Sequence, residues 1–166
     1  MHQNLIDQRG GNIAFSRSAM RQGQSANNGN GVANYNAFQT LNNVQFSIDG
    51  LFGTLAPTDN LRFSAGHPTV TGCNELFYAV WVNNTNAITT TAGPIVDPAT
   101  LAGVGAISQK TLEFPAAMSN NVLIGLIKVK VGTGATFTPN VTNFNATNIT
   151  TTFIDTAIMP TIKQLL

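Results

Sequence analysis

The clearest alternation of apolar and polar positions falls at 122–131, VLIGLIKVKV. Ile127, Val129 and Val131 lie on one side of an extended chain and Lys128 and Lys130 on the other, the pattern of a strand with one face buried and one in water. The first half, VLIGL, is apolar throughout, so each of its faces needs cover. Gly125 in its middle predicts a bulge or the close approach of another backbone. LFYAVWV at 76–82 is apolar on both faces too and is the natural partner. By parity Tyr78 and Trp81 point to opposite sides of it. Val44, Phe46 and Ile48 alternate with Gln45, Ser47 and Asp49, which predicts a half-buried strand punctuated by Gly50 and Gly53. Weaker strands are expected at 61–64, 87–91 and 149–155. Residues 110–114 alternate and end at Pro115; with the polar turn at 119–121 they predict an antiparallel hairpin with 122–131. Turns fall at His67-Pro68, Gly72 and Gly132-Thr133-Gly134. Residues 92–105 read as loop, with one helical turn beginning at Asp97.

Residues 1 to about 35 follow neither period. Gly, Gln, Ser and Asn dominate, and the apolar residues stand apart. This predicts an extended arm, with at most one helical turn at 16–22, that orders only against a neighbour. Its expected contacts are Ile13, Phe15, Arg17, Met20 and Arg21. Residues 36–166 are expected to fold as one all-β domain, an antiparallel β-sandwich or jelly-roll-like unit. A sandwich strand has a single inner face. The two doubly apolar strands are therefore expected to make subunit contacts through Tyr78, Val80, Val122, Ile124 and Leu126.

Composition sharpens this picture. Only 9% of residues are charged, against about 25% in ordinary soluble domains, and Asn and Thr fill the gap. Thr favours strands and Asn favours turns. A formal net charge of +1 favours association over solubility as a monomer. With Lys and Arg thinly spread, no nucleic-acid partner is expected. No stretch approaches the roughly 18 apolar residues of a membrane span, and the first residues carry no signal-peptide apolar region, so no membrane partner is expected. Four Asn-x-Thr sequons, at Asn83, Asn140, Asn145 and Asn148, read as chance in an Asn/Thr-rich chain.

Candidate chemistry is sparse. His67, Cys73 and Glu75 lie within nine residues, and a Cys/His pair is the raw material of a nucleophile and base or of a metal site. Zinc spacings are absent, and one Cys excludes an intrachain disulfide. The carboxylates Asp49, Asp59, Glu75, Asp97, Glu113 and Asp155 contain no spacing that marks a glycosidase pair or a calcium loop. The glycine-rich runs lead into no helix bearing a Lys, so they make no phosphate loop. No catalytic residue, metal or cofactor is expected. Tyr78 and Trp81 suit core packing better than a sugar platform.

The C-terminal stretch TLEFPAAMSNNVLIGLIKVKVGTGATFTPNVTNFNATNITTTFID combines a strand ending in Pro, a short turn, a VLIG-type strand, a Gly-containing turn, a Phe-x-Pro step and a Thr/Asn-rich strand. Over about residues 110–155 it resembles structural proteins of tailed-bacteriophage virions, of the capsid decoration (cement or head-fibre) type. The resemblance implies a non-enzymatic protein on the outer capsid surface. Its expected partners are the major capsid protein or other virion proteins, and its expected state is a homo-oligomer, with a trimer favoured. The alternative expectation is a receptor- or glycan-binding domain of a tail fibre or adhesin, working through a loop such as 92–105.

Overall fold

The computed structural model describes residues 12–23, 35–97 and 115–156. The hairpin partner at 110–114, the helical turn after Asp97, most of the 92–105 loop and Glu113 lie outside them. Among the described residues there is no helix. The strands are β1 (Ile13–Ala14), β2 (Arg21–Gln22), β3 (Phe38–Thr40), β4 (Val44–Ile48), β5 (Leu51–Leu55), β6 (Thr58–Leu61), β7 (Val70–Thr71), β8 (Glu75–Asn83), β9 (Ile88–Ala92), β10 (Asn121–Val131), β11 (Thr136–Phe137) and β12 (Ile149–Asp155). They pair antiparallel throughout, in the orders β12-β10-β8-β9, β1-β4-β5, β2-β3-β6 and β11-β7. All four sheets feed one buried cluster, so the architecture is all-β and sandwich-like.

The centre is β10, flanked by β8 and β12. On β8 the even positions Leu76, Tyr78, Val80 and Val82 enter the main core, while Ala79 and Trp81 form a second cluster on the outer face with Leu126, flanked by Phe77, Met118, Leu123 and Ile154. On β10 the parity breaks. The register with β8 shifts between Leu123 and Gly125. The bulge inserts one residue, so Val122 and Ile124 share the inner face with Ile127, Val129 and Val131. The all-apolar reading of VLIGL thus resolves into one core face and two outward leucines.

This relocates the expected subunit contacts. Tyr78 and Val80 are 0% exposed, Val122 2%, Ile124 1% and Leu126 6%, all within a single chain. The first four fill the main core and the last fills the outer cluster, so none is free to meet a neighbour.

Of the expected arm, residues 1–11 and 24–34 lie outside the described residues, and residues 12–23 are relocated. Residues 12–23 belong to the fold. β1 pairs with β4 and β2 pairs with β3, so the segment changes sheets on the way and has no helical turn at 16–22. Ser18, wholly buried, donates from Oγ to the Asp155 carboxylate at 2.6 Å and lies 3.2 Å from the Ile124 carbonyl oxygen. The Met20 amide donates to the same carboxylate at 3.3 Å. The Met20 side chain, 7% exposed, rests where a Gly125 side chain would be: a Cβ there would fall 2.0 Å from Met20 Cε and 2.9 Å from the Ile154 carbonyl oxygen. The strand expected at 61–64 lies earlier, as β6, and ends at Leu61.

Gly125→Ala is expected to cost about 1–3 kcal/mol by overpacking. Met20→Ala is expected to cost about 2–5 kcal/mol through the cavity it leaves. Because both act on one contact, the double variant should be less destabilised than the sum. Urea unfolding of the four proteins checks this, and strict additivity would mean that Met20 does not occupy that position.

Candidate interaction surface

The structure separates the residues that the sequence offered for chemistry. His67 Nε2 lies 2.7 Å from Thr90 Oγ1, with its ring against Phe63 and Tyr78. Cys73 is exposed in a turn, its Sγ 3.3 Å from Thr133 Oγ1. Glu75 turns to the outer face of the large sheet, where its carboxylate lies 3.1 Å from Lys128 Nζ. Three residues have three different partners. Among the described residues no cluster of His, Cys, Asp and Glu could hold a metal ion. Asp155 binds the arm, and Asp59 accepts from the Asn60 amide at 2.7 Å. Trp81 is 6% exposed and donates from Nε1 to Thr91 Oγ1 at 2.8 Å, so it provides no sugar platform.

Ser64, His67 and Thr90 fasten the loop after β6 to the outer edge of β9. The Ser64 amide donates to Thr90 Oγ1 at 2.8 Å, and the Thr90 amide donates to Ser64 Oγ at 2.9 Å. Burial lowers the His67 pKa, opposed by its hydrogen bonding at Thr90. Phe63 enters the core beside Tyr78, Phe137, Phe144 and Phe38. Both of its main-chain polar groups are held by one side chain: the Phe63 amide donates to Asn140 Oδ1 at 2.8 Å, and Asn140 Nδ2 donates to the Phe63 carbonyl at 2.9 Å. The Tyr78 hydroxyl is buried without a hydrogen-bond partner among the described residues, and desolvation raises its pKa well above the usual range.

The surface feature that stands apart is on the small sheet. Asp49 and Gly50, at φ 51° and 80°, make the tight turn that joins β4 to β5, the type I′ geometry in which Asp-Gly is favoured. Directly after it Leu51 is 68% exposed and Phe52 82%. Phe52 stacks on Phe15 of the arm, with centroids 5.9 Å apart. Phe15, Gln45, Phe46, Phe52, Gly53 and Thr54 line a shallow depression of ≈ 390 Å³. The only charged side chain between Val44 and Thr58 is Asp49 in the turn. Of the arm residues expected to contact a partner, Phe15 lies in this surface. Ile13 is in the ladder opposite Ser47, and Met20 is interior. Arg17 and Arg21 are exposed outside the depression. Sequence reasoning missed Phe52, although the Asp49-Gly50 pair between two apolar runs is a hairpin signal.

No protein-family model, curated protein or solved structure matches the chain.

Tyr78→Phe removes a buried hydroxyl that has no hydrogen-bond partner among the described residues, so stability should be unchanged or higher. A loss above about 1 kcal/mol on urea unfolding would reveal a partner for it. The His67 contribution has a definite pH sign. With the folded pKa below the ordinary histidine value of about 6.5, the unfolded chain binds the proton more readily. The contribution is complete above about pH 6.5 and is lost as pH falls through that value toward the lower, folded pKa. His67→Gln should lack this component, and unfolding at a series of pH values compares the two.

Proposed function

We propose that this chain is a non-enzymatic structural protein of a tailed-bacteriophage particle, a decoration protein on the outer capsid surface. One observation carries the reading: an all-β fold with few charges has two exposed apolar side chains, Leu51 and Phe52, one on each face of a strand that is the edge of its sheet among the described residues, with the half-buried Phe15 stacked on Phe52. Apolar surface of this kind, on a protein with little charge to keep copies apart, marks a contact with other proteins. The resemblance of residues 110–155 to virion proteins supplies the setting and the expected partners, the major capsid protein or its neighbours.

A glycan-binding domain is the second reading. It is favoured by the exposed Phe52 ring stacked on the half-buried Phe15, with the Gln45 amide and Thr54 hydroxyl at the same depression. An aromatic face beside a few convergent polar groups is how such sites hold sugars.

Purified particles provide the test. The protein is expected in the particle by mass spectrometry at a stoichiometry of many copies, and as density on the capsid exterior in a reconstruction. Phe52→Lys should lower its occupancy by about tenfold or more, since burying an unpaired charge is costly. Binding to isolated glycans that is lost with Phe52→Lys, with no protein in the particle shell, would replace this reading with the second.

A further inference from the structure

We infer that β5 is the seat of a self-contact: two copies of this chain pair their β5 strands antiparallel about a two-fold axis at Gly53, joining two three-stranded sheets into one of six. This rests on the reading of the exposed Leu51 and Phe52 as a protein contact and names its occupant.

The two-residue turn at Asp49-Gly50 makes Ile48 and Leu51 a hydrogen-bonded pair. In an antiparallel ladder such pairs alternate with non-hydrogen-bonded ones. Phe46 and Gly53 therefore bond to each other, whereas Ser47–Phe52 and Gln45–Thr54 do not. The other side of β4 agrees: the Gln45 carbonyl accepts from the Phe15 amide at 2.7 Å and its amide donates to Ser16 Oγ at 2.7 Å, so both groups turn away from Thr54. The amides and carbonyls of Phe52 and Thr54 consequently point outward from the sheet, and β5 is its edge among the described residues.

The edge is self-complementary. With Gly53 opposite Gly53 of a second copy, Phe52 faces Thr54 of that copy and Thr54 faces its Phe52. These are the residues whose groups point outward, so two hydrogen-bonded pairs form in register. The same register explains the two exposed apolar residues together. Phe52 comes within diagonal reach of its symmetry mate, about 7–8 Å, and Leu51 is set beside the other copy's Leu55. Gly53 places no side chain at the axis, and on the inner face the Phe46 ring already fills the space where a Cβ would be, 2.5 Å from Cζ. Pro57, which has no amide hydrogen, limits the ladder to β5.

Edges are ordinarily guarded by charge, proline, a bulge or a covering loop. On β9 the guard is present, because Thr90 donates its amide to Ser64 Oγ. Between Leu51 and Leu55 there is no charge, no proline and no bulge. A strand of this length buries less surface than the roughly 1,200 Å² of a stable complex, so the contact is weak and concentration-dependent when it acts alone. It is two-fold, so the trimer that the resemblance implies would be built on another surface, and the two contacts would be compatible in one particle.

Disulfide trapping of the full chain in a Cys73→Ser background tests the register. In a hydrogen-bonded pair the Cα atoms lie about 5.5 Å apart, within disulfide range. A mixture of Phe52→Cys and Thr54→Cys chains should give a covalent heterodimer at least about tenfold faster than either variant alone. Sedimentation of the unmodified chain should show reversible association, weakened at least about tenfold by Thr54→Pro. That change removes an outward amide and leaves the β4 ladder intact. Equal trapping by the single variants, or a monomer at every concentration up to about 1 mM, overturns the self-contact. A monomer that still enters particles would leave the proposed function standing, and a dimer absent from particles would do the reverse.

Discussion

The bulge between Leu123 and Gly125 decides how the large sheet can be used. Without it, strict alternation would put Val122 and Ile124 on the face opposite Ile127, Val129 and Val131, and β10 would need two cores. With it, all five face the same interior. The same site solves a second problem. Because Gly125 has no side chain, the Met20 thioether lies against the strand, and the buried Ser18 hydroxyl reaches the Asp155 carboxylate on the neighbouring strand. Unbranched and adaptable, Met suits an irregular gap of this kind. The bulge thereby fixes the inner face of one sheet and the position of the segment that ties it to two others.

That segment shows where sequence patterning loses power. The expectation of an arm followed from isolated apolar residues, and the isolation is genuine: Ala14 and Met20 each fill a single place in a core built mainly by other strands. A segment held this way uses individual hydrogen bonds in place of a repeating face. Asn12 Oδ1 accepts from the Asp49 amide at 2.9 Å, Ser16 Oγ donates to the Asn43 carbonyl at 2.9 Å, and the Ser18 carbonyl accepts from the Leu41 amide at 3.0 Å. Such partners are distant in sequence and leave no period. Strands with a strong pattern were legible: β4 and β10 lie where alternation placed them, β8 lies where a continuous apolar run placed it and pairs with β10, and β9 returns beside β8. The short β5 was hidden because its glycine interrupts the pattern and its exposed Phe52 falls on the face where a polar residue is expected.

The Asn-rich composition finds its physical use in the connections. Of the eight non-glycine residues with positive φ among the described residues, five are Asn, the residue that best tolerates the left-handed region after glycine. Asn83 Oδ1 alone accepts from the Thr85 amide, the Thr85 hydroxyl and the Ala87 amide, at 2.8–2.9 Å. Asn140 acts as a substitute strand for Phe63, which fixes the aromatic half of the core. These amides do locally what ladders do elsewhere. They explain how many short strands and turns hold together with one Cys and without a described helix.

Little of the surface chemistry is ionic. Glu75 and Lys128 pair across the outer face of the large sheet, with the lysine side chain one-third exposed, which keeps its worth modest. A surface of Thr, Asn and Ser has little long-range field to steer or repel a neighbour. Contact must then be selected at short range, by shape and by the match of donors with acceptors. An unguarded edge whose outward groups sit at alternate positions provides such selection, because a one-residue slip would oppose inward-directed to outward-directed groups and move every side chain to the wrong face. Main-chain pairing and apolar cover are also weakly affected by salt, in contrast with contacts between exposed charges. The sparse charge noted in the sequence and the bare β5 edge in the fold thus describe the same property: a surface whose associations depend on hydrogen-bond register.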